Sequence, residues 1–295
     1  MPVTPFATNR RAIVSVSISM ACFIANDTMV KHVSESLPAV QLIFIRGVFA
    51  TALLLLAAAW MGALRSGPAP QTRVWHQLSQ RAVLARAALD ALATVAYLVS
   101  LFNLPIANAS AINMASPMFI ALYAALAWRE AVSVTRWLAI ATGFLGVMLI
   151  VQPAADGFNA WALLCLFATL LHTGRDLITR TIALTVPSIL ITLTTFAAVV
   201  LLTAPWLLIQ GWAPVTGAQL SWLACASVLL SAAHYMIIIA MRSGDLSIVA
   251  PFRYTGMLFA LLAGWAVWGD IPNALAWAGI ILLVLAGMVL LRQAR

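Results

Sequence analysis

Charge is what this sequence has least of. Only 8 % of its 295 residues are Asp, Glu, Lys or Arg, against 64 % hydrophobic, and the mean hydropathy is +1.02. A soluble domain is about one quarter charged, and a chain of this length needs that polar surface to cover its core. The shortage excludes a soluble enzyme, a disordered chain and a fibrous repeat. Cysteine is scarce too: Cys22, Cys165 and Cys225 lie singly in apolar runs, without metal-ligand spacing, and read as small packing residues. There is no Walker A loop, no H-E-x-x-H and no G-x-S-x-G, so neither direct use of ATP nor a familiar hydrolase centre is signalled. Strict apolar/polar alternation is also missing, which argues against an outer-membrane barrel.

What is present is a series of long apolar runs. Spans are predicted at about 12–33, 38–61, 83–103, 106–128, 134–151, 159–181, 186–210, 219–241, 247–268 and 273–291. Each is near the ~20 residues a helix needs to cross the hydrocarbon core. The fold class is therefore all-α, a polytopic membrane protein of ten helices. Short links leave no room for a soluble domain. The first run follows Arg10 and Arg11. It is too long for a signal h-region and reads as an uncleaved first helix.

The net charge of +8 points to loops facing the cytoplasm rather than to nucleic acid. On the N-terminal side lie Arg10, Arg11, Arg65, Arg73, Arg81, Arg86, Arg129, Arg136, Arg180, Arg242, Arg292 and Arg295; the other side has Lys31. That bias predicts both termini in the cytoplasm of a bacterial-type inner membrane.

The chain also repeats itself. A shift of 140 superposes Trp128 on Trp268, Glu130 on Asp270 and Trp137 on Trp277. A shift of 149 superposes Asp27, Lys31 and Pro38 on Asp176, Arg180 and Pro187, the difference falling in the linker at 62–82. The predicted layout is a cytoplasmic tail at 1–11, five-helix repeats at 12–151 and 159–291, and a tail at 292–295. An odd number of helices per repeat puts the second copy upside down. Inverted repeats mark secondary transporters, whose substrate sits near the midplane between the copies.

With this layout the chain resembles the EamA branch of the drug/metabolite transporter superfamily. The resembling segments run from Asn108 to Val151, with Pro117, Trp128-Arg129-Glu130 and Gly146-Val147-Met148, and from Ile248 to Leu291, with Trp268-Gly269-Asp270 and Ala286-Gly287-Met288. The resemblance implies spans 1, 3, 4, 6, 8 and 9 around a central cavity, with 5 and 10 at the periphery. It implies a carrier of small metabolites, including aromatic amino-acid exporters. No cofactor, metal or nucleic acid is implied. The partners are a small-molecule substrate and the lipid bilayer, and the oligomeric state is left open, a monomer among the options.

Polar residues inside spans are expensive and therefore candidate functional groups. Arg86, Asp90, Thr94 and Tyr97 share one face of span 3; Asp90 either pairs with Arg86 or binds a proton. Span 6 carries His172, Arg175, Asp176 and Arg180, which read as a proton relay or as a charged cytoplasmic gate. Asp27 and Lys31 are their counterparts at the other mouth, a second gate or interfacial decoration. Span 8 offers Ser227, Ser231, His234 and Tyr235, span 4 offers Asn108 and Asn113, and span 9 offers Arg253 and Tyr254 as cavity lining. Arg253 is expected to contact substrate; Arg46, in span 2, has less polar company. The rival to a carrier is an intramembrane enzyme using Asp90, His172 and His234, which must then converge.

Overall fold

In the computed structural model, residues 5–65, 73–116, 118–119, 122–123, 133–151, 160–179, 181–183, 185–243 and 250–292 are described. Arg180, Pro117 and the Trp128-Arg129-Glu130 motif lie outside them. The described residues are all-helical or in short connections, without strands. The helices are α1 (Pro5–Ser34), α2 (Ala39–Trp60), α3 (Val74–Leu78), α4 (Arg81–Asn103), α5 (Ile106–Asn113), α6 (Val134–Val151), α7 (Ala160–Thr179), α8 (Ser188–Gln210), α9 (Gly217–Ser243), α10 (Thr255–Trp268) and α11 (Ala274–Arg292). A 3₁₀ turn, Ala250–Tyr254, leads into α10.

Among the described residues, six helices are long and apolar enough to cross a membrane: α1, α2, α4, α7, α8 and α9. Trp137–Ile150 and Ala274–Val289, in α6 and α11, are shorter apolar stretches. Several helices start directly after proline: Pro38 precedes α2, Pro105 precedes α5 and Pro187 precedes α8. Proline suits this place because it has no N–H to leave unbonded. Gly269, with φ 69°, ends α10 in the left-handed conformation that a side chain disfavours.

Large apolar side chains face outward in numbers no water-exposed surface carries. Leu201 and Leu208 are 74 % and 89 % exposed on α8, and Leu258 and Trp265 are 63 % exposed on α10. Such a surface fits lipid. Inward, Leu42, Leu98, Ile112, Leu190, Leu223 and Leu283 are fully buried. Helical hydroxyls do not waste their donors: Thr169, Thr173 and Thr203 each bond the carbonyl four residues back.

The packing follows one pattern. α1 lies on α9, and α4 lies on α7; α4 also meets α8, and α2 meets α9. α2 packs on α8, α6 on α11 and α5 on α10. Exchanging α1 with α7, α2 with α8, α4 with α9, α5 with α10 and α6 with α11 returns the same set of contacts.

The two helices aimed at the centre are broken at matching places. α5 ends at Asn113 and is followed by a tight turn, with Ala115 N–H bonding Ile112 O. The segment leading into α10 is 3₁₀ up to Tyr254 and becomes α-helical at Thr255. Under the 140-residue shift Met114 meets Tyr254, so both breaks occupy one position. Irregular backbone at this depth is tolerated where it lines a cavity or is buried in protein.

Candidate functional site

The helices surround a central cavity of ≈ 130 Å³. α1 contributes Met20, Phe23, Ile24, Asn26 and Asp27, a face repeating at three- and four-residue steps. α2 contributes Arg46, α4 contributes Thr94, Tyr97 and Leu98, and the α5 break contributes Ser110, Asn113, Met114 and Ser116. α7 supplies His172 and Arg175, α9 supplies Leu230 and His234, and the 3₁₀ turn supplies Arg253 and Tyr254. Nine of the sequence candidates (Asp27, Thr94, Tyr97, Asn113, His172, Arg175, His234, Arg253 and Tyr254) are thus brought to one place.

Three cavity candidates lie elsewhere, Asp90 among them in the ion-pair group described below. Asn108 does not line the cavity. It is five residues from Asn113, which at about 100° per residue turns it to another side of the helix. Tyr235 turns away from its neighbour His234 and packs against the α2–α8 cluster of Leu54, Ile189 and Phe196. A further correction concerns Arg86, counted above as a cytoplasmic loop charge. It is 3 % exposed inside the bundle.

The charged side chains form two groups. In the first, Arg175 Nη1 donates to Asp90 Oδ1 at 2.7 Å and its Nη2 to Asp176 Oδ1 at 2.8 Å. Arg86 Nη1 lies 3.5 Å from Asp90 Oδ2, and Arg253 Nη1 lies 3.3 Å from Asp176 Oδ2. Arg86 also donates to Thr179 and Thr195. This chain of charges ties α4, α7, α8 and the 3₁₀ turn together. Asp90, expected to pair within its own helix or to bind a proton, makes its shorter bond across to α7.

In the second group, Arg46 Nη1 donates to Asn26 Oδ1 at 3.3 Å, Asn26 Nδ2 donates to Asp27 Oδ1 at 2.9 Å, and Tyr97 OH donates to Asp27 Oδ2 at 3.0 Å. Ser227 Oγ on α9 donates to the Arg46 carbonyl. Asp27 therefore points into the cavity, whereas the sequence placed it with Lys31 at a mouth. Asn26 and Arg46 are the residues sequence reasoning undervalued. Their one signal was the cost of an arginine eight residues into an apolar helix.

Lys31, one turn beyond Asp27, faces a separate depression lined also by Glu35, Asn103 and Trp268. Its Nζ donates to Leu104 O and sits 5.1 Å from the Trp268 ring centroid, a cation–π distance. Trp268 Nε1 donates to Glu35 Oε1 at 3.0 Å, and Gln219 Nε2 to Ser36 Oγ at 2.9 Å. These bonds draw α1, α9, α10 and the start of α5 together at one end. The Arg175 group draws α4, α7 and the 3₁₀ turn together nearer the other.

Both histidines face the cavity. His234 Nδ1 donates to Leu230 O at 3.2 Å. His172 Nδ1 pairs with Asn113 Oδ1 at 3.0 Å. Among the described residues neither histidine hydrogen-bonds Asp90, and no cluster of metal-ligating side chains occurs.

Packed apolar helices around a polar central cavity are the architecture of a multi-pass membrane protein. The model of the EamA-like transporter family matches the chain twice, at residues 10–152 and 159–292, and the chain belongs to that family. Among characterised relatives, a riboflavin transporter of Rhizobium johnstonii is 34 % identical over 210 residues, 71 % of this chain and 70 % of that protein. The pseudopaline exporter CntI of Pseudomonas aeruginosa is 26 % identical over 272 residues, 92 % of each chain. An S-adenosylmethionine uptake transporter of Rickettsia prowazekii is 21 % identical over 276 residues, 93 % of this chain and 90 % of that one. A crystal structure superposes with a TM-score of 0.65 at 16 % identity, over 97 % of this chain and 99 % of the other, a likeness of fold.

Proposed function

We propose that the protein is an inner-membrane carrier exporting small zwitterionic or amphipathic metabolites, amino acids foremost, by alternating access. The observation that carries this is the composition of the central cavity. Its charged end gathers Arg46, Arg175 and Arg253 with Asp27, and its walls are Met20, Phe23, Ile24, Leu98, Met114 and Leu230. A molecule with a charged head and an apolar body matches both. With Asp90 and Asp176 behind the wall and Arg86 beside them, four arginines meet three aspartates, an excess of one positive charge. That excess favours a substrate bearing a carboxylate.

The repeats at 12–151 and 159–291 would be inverted copies forming ten crossings, with both termini cytoplasmic. The exchange-invariant packing and the matching helix breaks support this reading, as does the double family match. Rocking of one copy against the other would open the Lys31–Trp268–Glu35 ties on one face and the Arg175 group on the other. Arg180 is proposed to belong with the second. Catalysis is not part of the proposal, because His172 and His234 are bonded to Asn113 and Leu230 rather than to Asp90.

The similarity to riboflavin transporters favours a second cargo, a flat ring system without a carboxylate. Efflux from proteoliposomes preloaded with amino acids, riboflavin or S-adenosylmethionine separates the two. The expected result is saturable efflux of at least one amino acid, competed by others bearing large apolar side chains. Efflux of riboflavin alone would transfer the assignment to the flavin. For the topology, single cysteines at Glu35 and Thr181, in a background without native cysteines, are expected to react with an impermeant maleimide from opposite faces. Labelling of both from the periplasmic face would overturn the inverted arrangement.

A further inference from the structure

The cavity's three arginines are not equivalent. Arg175 is bonded to Asp90 and Asp176, and Arg253 to Asp176. Arg46 has no carboxylate as an ion-pair partner among the described residues. It is 3 % exposed, its Nη1 reaches only the neutral Asn26 Oδ1, and its Nε is buried with no hydrogen-bond partner. Removing one partner of a buried charge is strongly unfavourable, so a buried guanidinium without a carboxylate is an incomplete pair. Arginine presents its donors as a planar fork that matches a carboxylate. Asp27 stands beside it on α1. Each of its oxygens accepts one bond, from Asn26 and from Tyr97. An ionised carboxylate accepts about four in all, so both oxygens keep capacity for a donor from the cavity.

We infer that Arg46 is the anion subsite of the cavity, taking the carboxylate of the transported molecule, and that Asp27 takes its ammonium group. This rests on the reading of the cavity as a site for zwitterions. It also assigns Arg175 and Arg253 a different part: bonded to Asp90 and Asp176, they brace α4, α7 and the 3₁₀ turn. Asn26 bridges Arg46 to Asp27 through one hydrogen bond to each. The bound carboxylate replaces the missing partner of Nε, and binding is strongest when both ends of the zwitterion are present.

The test uses purified full-length protein and three probes sharing one apolar side chain: L-phenylalanine, L-phenylalaninamide, which lacks the carboxylate, and 3-phenylpropionate, which lacks the amine. Affinities come from thermal-shift titration in detergent, and rates from counterflow in liposomes. Wild type is expected to prefer phenylalanine over either analogue by at least about tenfold, the worth of a charge-assisted hydrogen bond. Arg46→Gln is expected to erase the preference over the amide, and Arg46→Lys to restore part of it, since the charge returns without the fork. Asp27→Asn is expected to erase the preference over phenylpropionate while keeping that over the amide. Arg253→Gln, which loosens the brace, is expected to lower all three probes together. An Arg46→Gln protein that folds and still discriminates the amide overturns the subsite, as does a discrimination that disappears with Arg253→Gln instead. A wild type that moves phenylalanine and its amide equally overturns the subsite alone. A wild type that moves none of the three overturns the amino-acid assignment with it, and efflux of riboflavin from the same liposomes then shows that the carrier itself is intact.

Discussion

Asp90→Ala is expected to cost about 3–5 kcal/mol of stability, the size of effect seen when one partner of a buried ion pair is removed. Asp90 is fully buried between Arg175 at 2.7 Å and Arg86 at 3.5 Å. Without it, Arg86 keeps only the hydroxyls of Thr179 and Thr195, and Arg175 keeps only Asp176. Two guanidiniums then face each other in a low-dielectric interior with one carboxylate fewer. Thermal unfolding in detergent and the yield of monodisperse protein measure the loss. Replacing Asp90 by Leu and Arg86 by Met together is expected to recover part of it, because the pair leaves as a unit and net charge is kept. An Asp90→Ala protein that unfolds at the wild-type temperature would mean that the cluster is solvated and does not brace the bundle.

The same cluster shows what could be read from the chain before folding and what could not. Some helices fall where apolar runs predicted them, because length and hydropathy are local properties: α6 occupies the predicted 134–151, and α8 runs from Ser188 to Gln210 against 186–210, whereas the helix predicted over 106–128 breaks after Asn113. Faces of single helices were legible as well, since helical spacing puts Arg86, Asp90, Thr94 and Tyr97 on one side. Partnerships between helices were not. Asp90 meets Arg175 across 85 residues, and Arg46 depends on Asn26 and Ser227 at separations of 20 and 181. Arg46 was undervalued because its own helix surrounds it with apolar neighbours. Tyr235 and Asn108 were overvalued because polarity was noted without the angle at which each leaves its helix. Asp27 was assigned with Lys31 to a mouth as the counterpart of Asp176 and Arg180, whereas its carboxylate bonds Asn26 and Tyr97 at the central cavity.

Gly279→Leu is expected to destabilise the protein by about 3 kcal/mol, the upper part of the usual range for overpacking. α6 and α11 approach through glycine: a Cβ on Gly279 would lie 2.5 Å from the Gly146 carbonyl oxygen and 2.9 Å from Ile150 Cγ1. A Cβ on Gly146 would in turn lie 2.7 Å from the Gly279 oxygen and 3.0 Å from the Leu283 nitrogen. Main-chain atoms cannot swing aside as a side chain can, so one helix must move bodily. Close backbone approach over small residues is how helices associate in lipid, where no hydrophobic force separates a helix partner from an acyl chain. Gly279→Ala meets the same oxygen with less bulk and is expected to fall between wild type and Leu in unfolding temperature. Neither helix contributes a described residue to the cavity wall. The fraction of Gly279→Ala protein that folds is therefore expected to keep the wild-type ratio of affinities for phenylalanine and its amide. A changed ratio would place α6 and α11 in the path of the substrate rather than in the scaffold that carries it.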